Sequence, residues 1–214
     1  MHCADDIKGG ECSEASWDEI CYMKLLEEDS AAKPLKSIEK STIIKRCMQE
    51  AQLQRQRIIK QFGSMRAEDY IKKLGFHIIE EAPELMPSFM YMGLLEPDSR
   101  TVRLNRRVMS LAEGYMRGMT ECPEEPLKKF REIVLFHELF HGIEEQTPGI
   151  CTRQVKIRTR FLGIIPVDRR VETASEIGAI HFSKLMAEAS FSPLLYTNYL
   201  LAATKHDMEV SHER

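Results

Sequence analysis

His137 and His141 stand four residues apart with Glu138 between them, in the run Arg131-Glu132-Ile133-Val134-Leu135-Phe136-His137-Glu138-Leu139-Phe140-His141-Gly142. On a helix of about 3.6 residues per turn the two imidazoles lie one above the other, close enough for both to reach one metal ion. Glu138 then sits beside the metal, free to act as a base. Zinc held this way lowers the pKa of a bound water toward about 7 and polarises a carbonyl. The expected chemistry is hydrolysis of a peptide bond, with Glu138 taking the water proton and passing it to the leaving amine. Packing alone is the weaker explanation of the pair, because burying two imidazoles without partners is costly.

The helix that must carry them is predicted over about 126–146. Its apolar positions (Ile133, Val134, Phe136, Leu139, Phe140, Ile143) mark a buried helix, Pro126 suits its first turn and Thr147-Pro148-Gly149 its stop. Catalytic zinc usually has three protein ligands, so a third has to come from elsewhere. Downstream, the stretch from Arg169 to Phe182 reads as a second helix with Glu172 and Glu176 four apart on one face. One carboxylate can bind metal while the other supports it.

These two segments together resemble the gluzincins, the thermolysin-like zinc peptidases, whose second helix carries a ligand glutamate followed four residues later by an acid. The resemblance implies Glu172 as the third ligand and Glu176 as the acid that orients a histidine ring, His137 by preference. Glu176-Ile177-Gly178-Ala179 also fits a Glu-x-x-Ala pattern, in which Glu176 is the ligand instead. Peptidases of this kind generally have a Tyr, His or Arg facing the metal to stabilise the oxyanion, for which His181, Tyr196 and Tyr199 are the candidates. His181 follows Glu172 by about two and a half turns and therefore faces away from its stripe.

Around these segments, Ser37 to Phe62 reads as a long helix with apolar Ile43, Ile44, Cys47, Met48, Ala51, Ile58 and Ile59, capped by Ser41 or Ser37 and stopped by Gly63. A shorter helix, about Arg66 to Leu74, leads into a strand at 76–80. Residues 89–95 and 101–105 flank Glu96-Pro97-Asp98-Ser99 as a hairpin. This order, closing on Val102-Arg103-Leu104-Asn105 before the histidine helix, is similar to the ImmA/IrrE-type minimal gluzincins, small cytosolic peptidases associated with cutting repressor proteins. The similarity covers about residues 50–190. It implies a zincin-like α+β fold: a small, mostly antiparallel sheet packed on the active-site helix, with flanking helices. It also implies a protein or peptide substrate, including a regulatory protein. Residues 100–105 are the candidate strand for pairing with an extended substrate. Phe140 stands where that family often has glycine, and no helix-turn-helix segment is recognisable.

At 214 residues, 43% hydrophobic and 29% charged, the chain suffices for one well-buried domain, expected over 37–214 behind an N-terminal extension, 1–36. In that extension a short helix around 17–26 is expected to dock through Trp17, Ile20 and Leu25. A latency role, with Cys12 or Cys21 offering a thiolate to zinc, is the alternative to a peripheral helix. The basic, alternating stretch 151–161 reads as a strand or extended loop, and a last helix starts after Pro193. A net charge of -3 argues against nucleic acid, leaving only the basic stretch 153–170 for that reading. The acidic start excludes a secretory signal, no run spans a membrane, and the six cysteines form no C-x-x-C pair, so reduced thiols in a cytoplasm are the expectation. The competing functional class is a zinc-stabilised regulatory or binding module whose cleft is covered by residues 1–36. Oligomeric state leaves no mark in the sequence.

Overall fold

The computed structural model describes residues 16–84, 90–161 and 164–212. Helices α1 (Trp17–Glu28), α2 (Ser37–Phe62) and α3 (Ala67–Lys73) precede β1 (His77–Glu81), β2 (Gly93–Glu96) and β3 (Thr101–Asn105). Then come α4 (Arg106–Gly118), α5 (Glu124–Gln146), the single turn α6 (Cys151–Gln154), β4 (Lys156–Phe161), β5 (Ile165–Arg170), α7 (Thr173–Met186) and α8 (Leu195–His212). The architecture is α+β. Among the described residues no helix is long and apolar enough to cross a membrane.

The sheet is small, and antiparallel pairing predominates among the described strands, compatible with the expectation of a small, mostly antiparallel sheet. Its order is β1-β3-β2, with β1 parallel to β3 and β2 antiparallel to it, so it is mixed. β3 is therefore the central strand, with both edges paired, and cannot take up a substrate strand as expected for 100–105. β1 and β2 are the two outer strands, and β2 is the one that lies against α5. Of the stretch 151–161 expected to be extended, 151–154 is the helical turn α6 and 156–161 is β4, which forms a separate antiparallel ribbon with β5, Lys156 opposite Arg170.

α5 runs through the centre of the protein. Its residues Phe130, Ile133, Leu135, Phe136, Leu139 and Phe140 are all buried, in one core with Tyr70 and Ile71 of α3, Val102 and Leu104 of β3 and Phe182 of α7. Helix α7 approaches α5 closely at Gly178, where a Cβ would lie 2.8 Å from the Phe140 ring and 2.9 Å from Thr152 Cγ2. The bulk of Phe140 is thus accommodated by the absence of a side chain opposite it. Gly178→Ala is expected to overpack this contact and cost about 1–3 kcal/mol in urea unfolding; unchanged stability would mean the helices are not held so close.

A second core joins α1, α2 and α7 through Tyr22, Leu26, Ala31, Ala32, Ile43, Ile44, Cys47, Ala174, Ile177 and Ile180. α1 therefore belongs to the folded body, and packing crosses the expected boundary at residue 36. It docks through Asp18, Tyr22 and Leu26, spaced four apart, whereas Trp17 is 66% and Ile20 41% exposed. Its start is fixed reciprocally: Ser16 Oγ accepts from Glu19 N, and Ser16 N donates to Glu19 Oε2. α2 keeps its expected bounds, but Lys36 is the cap position, its N–H donating to Glu39 Oε2 at 2.9 Å, rather than Ser37 or Ser41.

Candidate metal centre

The α5 helix places His137 and His141 as its periodicity requires, with ring centroids 4.9 Å apart. Their Nε2 atoms are 3.2 Å from each other. Glu176, one turn into α7, brings Oε2 to 3.4 Å from His137 Nε2 and Oε1 to 3.6 Å from His141 Nε2. Among the described residues this is the group whose nitrogen and oxygen atoms lie close enough to share an ion. Ligand atoms about 2.0–2.1 Å from a tetrahedral zinc are themselves about 3.3 Å apart, so the donor set matches zinc in kind and spacing. Two imidazole lone pairs so close repel each other unless a proton or a cation lies between them.

The chain supplies the negative potential to hold that positive charge. Behind His141, Nδ1 donates to Glu144 Oε2 at 3.0 Å, which leaves Nε2 as the nitrogen facing the centre. Glu144 has no exposed side-chain surface. Ser175 Oγ donates to its Oε2 at 2.6 Å, and the Thr152 hydroxyl donates to its other oxygen. Burial alone would raise the Glu144 pKa, but the His141 hydrogen bond and charge, with the two hydroxyls, hold it below the ordinary value. For His141, burial disfavours the charged ring, yet Glu144, Glu176 and Glu138 together push its pKa up to about 9. Glu176 is carried down to about 2 because its bond to His137 and the two imidazoles outweigh desolvation. A divalent cation would satisfy the same three groups without a proton.

Glu138 is 6% exposed and is not part of the donor set. Burial raises its pKa, against the pull of the two histidines and a hydrogen bond from the Leu95 N–H. β2 presses on it closely enough that a Cβ on Gly93 would lie 2.8 Å from both Glu138 Oε1 and Val134 Cγ1. Since Leu95 N–H points at Glu138, the alternation of an antiparallel pair turns Gly93 and Leu95 away from β3, toward the centre. Two cavities share Gly93, His137, Glu138 and Glu176 in their walls. One of about 300 Å³ is largely apolar, with Ile133, Val134, Ile180 and Leu194 in its walls. The other, about 430 Å³, is polar and includes Arg153, Arg170, Glu145 and Glu172. A further hollow, about 910 Å³ beside α4 and α8, contains no histidine among its described lining residues and is separate from this chemistry.

The arrangement brings Glu176, and not the preferred Glu172, to the two histidines. Strand β5 continues through Arg170, so α7 begins at Thr173 and Glu172 occupies the position before its first turn. There its carboxylate is 72% exposed and pairs with Arg170 Nε at 3.3 Å. Glu176, expected behind His137, stands instead on the side of the ring that faces the centre. The supporting acid is Glu144, which the sequence reading missed. Its one signal was a carboxylate three residues after His141, on the same helical face, just past the last apolar residue Ile143. Replacing it by Gln keeps the size and removes the charge, and is expected to weaken zinc about 10- to 100-fold in a chelator-competition titration. Wild-type affinity in that variant would show that Glu144 does not tune the ring.

Of the three oxyanion candidates, Tyr196 lines the apolar cavity, and the polar groups of His181 and Tyr196 face other partners. His181 is buried, with Nδ1 3.5 Å from Tyr22 Oη, and Tyr196 donates its hydroxyl to Pro126 O at 2.7 Å. Tyr199 packs beside Tyr115 of α4, with centroids 6.2 Å apart. The cationic groups in the walls are Arg153 and Arg170, the two ends of the basic stretch 153–170. Arg153 is tied to Glu145 and lies 3.6 Å from Glu144. Cys12 lies outside the described residues. Cys21 is half-buried, and burial and then Asp18 raise its pKa, which opposes a thiolate ligand. Comparison of the chain with protein families, with curated proteins and with solved structures returned no match.

Proposed function

We propose that this protein is a zinc-dependent endopeptidase of the minimal gluzincin kind, with a zincin-like fold and His137, His141 and Glu176 as the ligands. The observation that carries the reading is the convergence of those three side chains from α5 and α7 beside a buried carboxylate, Glu138, that is not one of them. Zinc bound there would supply an acidified water and a Lewis acid for the scissile carbonyl. Glu138 accepts the proton of the attacking water on its carboxylate and returns it to the leaving nitrogen, a role suited to a carboxyl whose pKa burial has raised. Glu144, through His141 Nδ1, keeps that ring's other nitrogen aimed at the centre. The outer edge of β2 offers the Gly93 backbone groups and the Leu95 carbonyl to an extended chain, the Leu95 N–H being donated to Glu138, which suits a protein or peptide substrate.

Zinc titration of the purified chain tests the proposal. One zinc per chain at micromolar affinity or tighter is expected, with peptide cleavage lost on chelation and restored by zinc. A chain that takes up no zinc in that range would overturn it.

A further inference from the structure

The apolar cavity beside Glu138 has one wall from the N-terminal helix. Leu25 of α1 lines it together with Ile133 and Val134 of α5 and Ile180 of α7, while His137, Glu138 and Glu176 stand on the same surface. We propose that α1 is part of the substrate site and that Leu25 is a specificity-determining residue, its bulk limiting which apolar side chain can sit beside the scissile bond. This rests on the peptidase reading above and adds to it a role for residues outside the metal-bearing elements.

Position and chemistry argue together. An occupant of this cavity touches the ligand set, so its fit is felt at the reacting bond. Beyond those three residues the walls are mostly apolar, and an unpaired charge brought there would lose its hydration without compensation. Leu25 is also held in place. The α1 face one turn before and one residue after it, Tyr22 and Leu26, has no exposure. Lys184 of α7 pairs with Asp18, and Tyr22 meets His181. Just beyond the helix, Asp29 Oδ1 accepts from Ala31 N and Ala32 N, while its Oδ2 accepts from Thr173 N, the first residue of α7. α1 is thus pinned to the helix that carries Glu176, which makes Leu25 a fixed wall and not a lid. Walls on α5 and α7 cannot change much without moving ligands. Leu25 is half-buried on a separate helix and can.

The test compares Leu25→Ala, Leu25→Phe and, as a control on the exposed face of the same helix, Trp17→Ala. Cleavage of a randomised decapeptide library, read by mass spectrometry, gives the preference for residues flanking the cut. Leu25→Ala is expected to raise the preference for Phe and Trp over Leu about 10-fold or more, the scale of a small change in an apolar pocket, and Leu25→Phe to shift it toward Ala and Val. Trp17→Ala should leave the profile unchanged. As a readout free of catalysis, methyl NMR shifts in a Glu138→Gln background measure binding of N-acetyl-leucine amide against N-acetyl-phenylalanine amide. That ratio should move in the same direction. An unchanged cleavage profile in folded Leu25→Ala and Leu25→Phe proteins overturns the assignment and leaves the peptidase reading intact. If the parent takes no zinc and cuts nothing, the peptidase reading fails by itself. In that case a ratio that still follows residue 25 upholds the subsite, and absence of amide binding ends it.

Discussion

Replacing Glu138 by Gln is expected to leave zinc content and fold unchanged while cleavage of any substrate of the parent falls by about 10²- to 10⁴-fold. The side chain keeps its size, so the contacts with Gly93 and Val134 and the bond from Leu95 N–H persist, but the group can no longer accept the water proton. Zinc content and thermal unfolding establish that the site is intact. Comparison of cleavage products from cells making the parent or the variant supplies the activity readout whatever the substrate is. Identical product sets would remove the peptidase reading, and a regulatory zinc module would then account better for the histidines. The experiment separates those classes because both need the ligands, while only the enzyme needs a base that is not one of them.

The second large effect concerns which carboxylate binds. Glu176→Ala should lower zinc affinity by more than the roughly 10- to 100-fold that loss of an outer partner costs, because it deletes one of three ligands. Glu172→Ala should leave zinc binding within a few-fold of the parent. It removes a surface ion pair with Arg170, and such pairs contribute about 0–1 kcal/mol. Competition with a chelator of known affinity measures both, and the opposite ranking would return the ligand to Glu172. Histidine spacing alone does not anticipate this difference, since both glutamates precede or open the same helix.

What the sequence by itself determined is what local geometry enforces. Helical pitch puts residues four apart on one face, so His137 and His141 pair, with Glu138 beside them, whatever the packing around them. The same pitch, with Gly63 as a stop, defined α2 from Ser37 to Phe62, and turn chemistry at Glu96-Pro97-Asp98-Ser99 marked the β2–β3 hairpin. Tertiary structure decided everything that depends on how elements meet. Pairing of β5 with β4 through Arg170 delays the start of α7 to Thr173 and leaves Glu172 outside, while the close approach of Gly178 to Phe140 turns Glu176 toward the histidines. Parallel pairing of β1 with β3 makes β3 the central strand and leaves β1 and β2 outermost, because the strand order of a sheet is not encoded in the periodicity of any single strand. Glu144 found its role through Thr152 and Ser175, brought in from segments 8 and 31 residues away. Leu25 reached the cavity because Tyr22 and Leu26, rather than the more hydrophobic-looking Trp17 and Ile20, matched the surface offered by α2 and α7. A local pattern limits which side chains can share a face; the partner surface selects which face is buried and which carboxylate stands at the centre.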